Sequence, residues 1–109
     1  MKLVIAVIQD KDAPRLLSEL AAAGFRSTKL ASTGGFLREG NTTLFVGVDD
    51  QQVERVIGLI KSICRAREQL VTPLSPVGGP ADSYIPFPVE ILVGGATMFV
   101  VDVEHFEKM

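Results

Sequence analysis

The run Leu3–Ile8, LVIAVI, is apolar without a break, and four of its members are Val or Ile. A strand with no polar side has to be buried on both faces, which places it in the middle of a sheet. A second stretch, TMFVV at Thr97–Val101, is also apolar on both sides near the other end of the chain. With 109 residues there is room for one domain and one core, so both strands belong to a single sheet and a single domain spans 1–109. The first run meets Gln9 and Asp10 with no small-residue cleavage site, and so reads as a strand and not a secretion signal. No apolar stretch approaches the roughly 18 residues that cross a bilayer.

Two amphipathic helices separate the strands. Asp10 or Asp12 is positioned to cap the first, over about 12–23, with Leu16, Leu17, Leu20 and Ala21 at helical spacing, Pro14 in the first turn and Gly24 as the stop. The second begins at Asp49 or Asp50 and repeats Val53, Val56, Ile57, Ile60, Ile63 and Cys64, with Lys61, Arg65 and Arg67 near its end to complement the dipole. Between the helices, Phe25–Ser32 and Thr42–Val48 read as a hairpin-like pair of strands interrupted by Gly34-Gly35.

From about 68 to 88, five prolines and Gly78-Gly79 predict a long irregular loop, of the kind that is usually functional or disordered. The last strand is expected from Val89 to about Val103, with a bend at Gly94-Gly95. The order β-α-β-β-α-β is the α+β, ferredoxin-like arrangement, a four-stranded antiparallel sheet with two helices on one face. Because the first and fourth strands of this pattern are apolar on both sides, the face without helices needs a cover, and self-association supplies one.

A formal net charge of −2 excludes the clustered cations on which nucleic-acid and membrane-surface binding depend. Cys64 is the only cysteine, so no disulfide forms within the chain and a reducing, cytoplasmic setting is expected. In that setting the Asn41-Thr42-Thr43 sequon is not a glycosylation site, and Asn41 is read by its side chain.

Catalysis needs convergent titratable groups, and the chain offers one His, one Cys and scattered carboxylates. Cys64 falls on the apolar stripe of the second helix and reads as a buried structural thiol, and His105 as a surface or interface residue. Neither paired Cys/His spacing for zinc nor alternating Asp and Asn for calcium is present. The segment Gly35–Thr42 imitates a phosphate loop, but Asn41 replaces the Lys and the segment joins two strands.

What remains is a set of parts. Gly34 and Gly35 allow bare N–H groups to approach an anion, Arg26 offers a forked cation, Thr28 a hydroxyl, Phe36 a stacking face, and Asn41 a donor and acceptor matched to an adenine edge. The same residues admit a plainer reading as a turn, a packing contact and solvated strand ends.

The stretch GFRSTKLASTGGFLREGNTTLFVGV, a following helix and Pro/Gly-rich loop, and the ending VEILVGGATMFVVDVEHF together resemble the PII-like cyclic di-AMP receptors of bacteria, over nearly the whole chain. That resemblance implies a homotrimer of PII-like ferredoxin-fold subunits that binds cyclic di-AMP at subunit interfaces, without a cofactor and without catalysis. The matching positions are Arg26 and Thr28 on the second strand, Gly35, Phe36 and Leu37 in the connection, and Asn41 and Gly47 on the third strand. By this likeness Arg26 and backbone amides face a phosphate, while Phe36, Thr28 and Asn41 treat adenine. Two positions depart from the pattern, Gly24 where the family can use Asn and Lys108 where it can use Gln. The connection between strands two and three is short and the loop after the second helix long, which implies a relay through residues 68–88 to a downstream protein the sequence does not name. The alternatives are a PII-like sensor of ATP, ADP or another nucleotide, and a trimeric scaffold without a ligand.

Overall fold

The structure, a computed structural model, describes residues 1–30, 40–71 and 89–109. In chain order the elements are β1 (Lys2–Gln9), α1 (Ala13–Ala22), β2 (Ser27–Leu30), β3 (Asn41–Val48), α2 (Val53–Cys64), β4 (Arg67–Val71), β5 (Val89–Val93) and β6 (Ala96–Asp102). A single 3-10 turn precedes each helix, at Asp10–Asp12 and Asp50–Gln52.

Four strands form one antiparallel sheet in the order β2-β3-β1-β6, with the apolar run of β1 at an interior position as its composition requires. Strand residues alternate between faces. Val4, Ala6 and Ile8 of β1 and Leu44, Val46 and Val48 of β3 face Leu16 and Leu20 of α1 and Val56, Ile60 and Ile63 of α2 in one core cluster, so both helices cover the same face. Each such fully buried Leu, Ile or Val side chain contributes about 1.5–3 kcal/mol relative to exposure. Thr42, also buried in this row, donates its hydroxyl to Asp10 Oδ1 at 2.5 Å, which spares the core an unpaired polar atom.

The opposite row consists of Leu3, Ile5 and Val7 of β1, Phe45 of β3 and Phe99 and Val101 of β6, and Ile5 stands between Phe45 and Phe99 in the register. Among the described residues no helix covers this face, and Phe99 is 56% exposed. The expected uncovered apolar face is therefore present in the single chain.

Three expectations are corrected. The irregular segment does not begin at 68, because Arg67–Val71 is strand β4 and pairs antiparallel with β5 in a separate two-stranded ribbon. The predicted last strand is accordingly two strands in two sheets, divided at Gly94 and Gly95, whose φ values of +84° and +96° turn the chain between them. The second helix stops at Cys64, so Arg67 lies in β4 and not in the helix's last turn. The remaining span of the loop, 72–88, lies outside the described residues.

Asp12 occupies the cap position of α1 but makes no capping hydrogen bond. Its buried carboxylate accepts instead from Arg67 Nη2 at 2.8 Å, because the ribbon brings a guanidinium to that spot. The base of the ribbon is further fixed where Gly94 N–H donates to Gln9 Oε1 at 2.7 Å and Lys11 Nζ to Gln69 Oε1 at 3.0 Å.

Candidate functional site

The turn out of α1 sets up the site. Gly24 adopts φ +87° with its N–H on the Ala21 carbonyl at 3.0 Å, a left-handed helix end for which glycine is the usual choice. Phe25 N–H then returns to the Leu20 carbonyl at 2.9 Å, and Arg26 leads into β2. Thr28 lies opposite Phe45, and Gly47 opposite Leu3, so Thr28 and Gly47 share the face without helices.

At this end of the sheet a groove of about 860 Å³ is lined by Arg26, Thr28 and Gly47, with Phe45 and Phe106 as apolar wall and Lys108 reaching in from the C-terminal tail. Three of the sequence-selected residues are thus gathered in one place. Lys108, one of the two departures from the family pattern, joins them. A Cβ built on Gly47 would stand 3.1 Å from the Met1 Cε, the far end of an exposed side chain that can shift to admit it.

The groove holds two cations, Arg26 and Lys108, beside one carboxylate, Glu107. Among the described residues Arg26 makes no side-chain hydrogen bond or ion pair, which leaves its guanidinium fork available to an anion. A second depression of about 400 Å³ adjoins it, sharing Phe25, Arg26 and Gly47 and adding Gly24 and Arg55. There the Arg55 guanidinium lies over the Phe25 ring, 5.4 Å from its centroid.

Asn41 is not brought to this groove. It begins β3 opposite Gln9, six residues from Gly47 and so about 20 Å along the strand, and lines a separate depression with Gly94 and Thr97. Gly35, Phe36 and Leu37 lie outside the described residues.

The two residues weighed as catalytic candidates are not placed for chemistry. Cys64 is 1% exposed, and burial, aided by the charge of Asp12, pushes its thiol up to about 11, so it stays protonated and unreactive at neutral pH. His105 is exposed, 2.9 Å from Glu107 on the tail. Among the described residues no group of acidic, His or Cys side chains could hold a metal ion, and no helix is long and apolar enough to cross a membrane.

Comparison with known proteins gives the family. The family model described as cyclic-di-AMP receptor matches residues 1–109. The chain belongs to the cyclic-di-AMP receptor family. The receptor is also similar to a solved structure of a functionally unknown protein from Pediococcus pentosaceus ATCC 25745, with 40% identity, a TM-score of 0.79, and coverage of 99% of this chain and 96% of that one. Its family is a class of receptors and not of enzymes, in keeping with a groove that presents cations and apolar walls.

Sequence reasoning missed Phe45, Phe106 and Arg55 as lining residues of these two depressions. Phe45 was within reach, since it shares the strand parity of Asn41 and Gly47. Arg55 carried no signal, because an arginine in the first turns of an amphipathic helix reads as solvated surface.

Proposed function

We propose that the receptor binds cyclic di-AMP in the groove bordered by Arg26, Thr28 and Gly47, and that the site is completed at the interfaces of a homotrimer. The observation that carries this reading is the junction of two features, an unpaired guanidinium and an apolar groove that opens onto the uncovered sheet face. A second copy seated on that face closes the groove while burying Ile5, Phe45 and Phe99. The distance of Asn41 from Arg26 fits the same arrangement, with Asn41 and the Gly35–Leu37 connection serving the adenine bases across a subunit boundary.

Arg26 takes a phosphodiester, Thr28 and Asn41 hydrogen-bond the bases, and Phe36 stacks on one of them. Occupancy is relayed by rearrangement of the segment 72–88, which follows β4 and precedes β5, to a downstream protein. The setting is the bacterial cytoplasm.

Titration calorimetry with cyclic di-AMP, cyclic di-GMP and ATP in parallel, on protein whose mass is fixed by sedimentation, tests the reading. The expected result is a trimer that takes one cyclic di-AMP for each subunit and binds the other two nucleotides weakly. A monomer at working concentration, or silence from cyclic di-AMP, overturns it.

A further inference from the structure

Phe25 separates two depressions that share Arg26, and the smaller of them holds a second unpaired cation. Arg55 projects from α2 onto the Phe25 ring, and among the described residues it makes no side-chain hydrogen bond or ion pair. Asp49 borders the same depression, and no ion pair joins it to either arginine. The depression is thus lined by two guanidiniums and one carboxylate, none of them in an ion pair among the described residues, and an anion placed between the two forks would pair with both. The ring contact pre-orients the Arg55 fork, so little rotamer freedom is lost when it engages.

The floor of the depression is open. Nothing lies within 4 Å of a Cβ built on Gly24, so the depression has room there, for a ligand group or for a polar side chain that would meet one.

We propose that Arg26 and Arg55 together form a phosphate-binding subsite in this depression, which makes Arg55 a further ligand-contact residue of the receptor; its assignment to cyclic di-AMP rests on the function proposed above. The chemistry recognised is a phosphate oxygen pair, carried by a phosphodiester of the cyclic dinucleotide or by free phosphate.

The test has two arms on the full-length protein. In the first, the affinity for cyclic di-AMP is measured for wild type, Arg55→Gln, Arg55→Met and Arg55→Lys, with thermal unfolding confirming that each is folded. A lost charged hydrogen bond corresponds to about a tenfold to hundredfold weakening. Arg55→Gln and Arg55→Met are both expected to lose that much, and Arg55→Lys to recover part of it. Wild-type affinity in Arg55→Met overturns the proposal, since that side chain keeps the packing on Phe25 and lacks the charge. In the second arm, the Arg55 Nε–H resonance and the Gly24 amide are followed by NMR during titration with inorganic phosphate and, separately, with cyclic di-AMP. Movement of both signals with either probe supports the subsite. If phosphate moves them while cyclic di-AMP does not bind, the subsite stands and the proposed function falls. If cyclic di-AMP binds and neither signal moves with either probe, the function stands and the subsite falls.

Discussion

Arg67 Nη2 lies 2.8 Å from Asp12 Oδ1, and this pair joins the foot of the β4–β5 ribbon to the start of α1 across 55 positions of sequence. The two partners are unequally buried, with side-chain exposures of 35% for Arg67 and 6% for Asp12. The second carboxylate oxygen of Asp12 is buried without a hydrogen-bond partner, so the aspartate depends on the arginine more than the reverse.

Removal of the arginine therefore costs more than neutralising the aspartate. Arg67→Ala strands a buried charge and is expected to destabilise by about 2–4 kcal/mol, while Asp12→Asn leaves a guanidinium that can reach water and costs about 1 kcal/mol. Urea unfolding of the two variants checks the order, and equal losses would refute the asymmetry.

Gly24 and Gly94 both have positive φ, yet their substitutions should differ sharply. A Cβ on Gly94 would stand 2.4 Å from the Arg65 carbonyl oxygen, so Gly94→Ala combines strain with a backbone clash and should lose about 2–3 kcal/mol. Gly24 has open space, and Asn tolerates the left-handed region, so Gly24→Asn is expected to cost under about 1 kcal/mol. It should also tighten cyclic di-AMP, by restoring a side chain at a position where the family can use one. Calorimetry and thermal unfolding read the two effects separately.

Cys64 gives an alkaline prediction. Burial raises its thiol from 9.0 to about 11, so the folded state holds this proton more tightly than the unfolded chain. Below pH 9 both states are protonated and the contribution is fully present; between pH 9 and about 11 the unfolded chain ionises first and stability falls. The decline should flatten in Cys64→Ala, and an unaltered slope in that variant would remove the thiol as its cause. Native Cys64 should also resist alkylation at pH 8 until denaturant is added.

Phe99 tests the open face. Phe99→Glu places a charge on a residue that is already 56% exposed in the single chain, so the fold should persist by circular dichroism while the proposed trimer dissociates in sedimentation. Retention of the trimer would show that the face is covered in another way.

Much of the fold was legible because its determinants are local. Val4, Ala6 and Ile8 announced a central strand, although only that parity is fully buried and Leu3, Ile5 and Val7 face the open side. Strand β4 was not legible. REQLV is polar, follows a helix whose basic residues appeared to complete it, and becomes a strand by pairing with Val89–Val93 far along the chain. Asp12 looked like a cap because its ion partner lies in that same unforeseen strand. For the site, strand parity was enough to place Thr28 and Gly47 together, with Arg26 just ahead of β2. It could not reveal that Asn41, on the same face, sits at the far end of β3, since alternation specifies a side and not a distance.

The ribbon leaves the body at Cys64 and rejoins it at Gly95, whose N–H donates to the Cys64 carbonyl at 2.5 Å. The two ends of residues 65–94 are thus already in contact, and the excursion between them closes on itself. Lengthening such a closed excursion adds only a logarithmic entropy cost and disturbs no strand of the main sheet. The four-stranded sheet is therefore closed independently of the ribbon's far end, and an insertion beyond Val71 should leave its strand register unchanged.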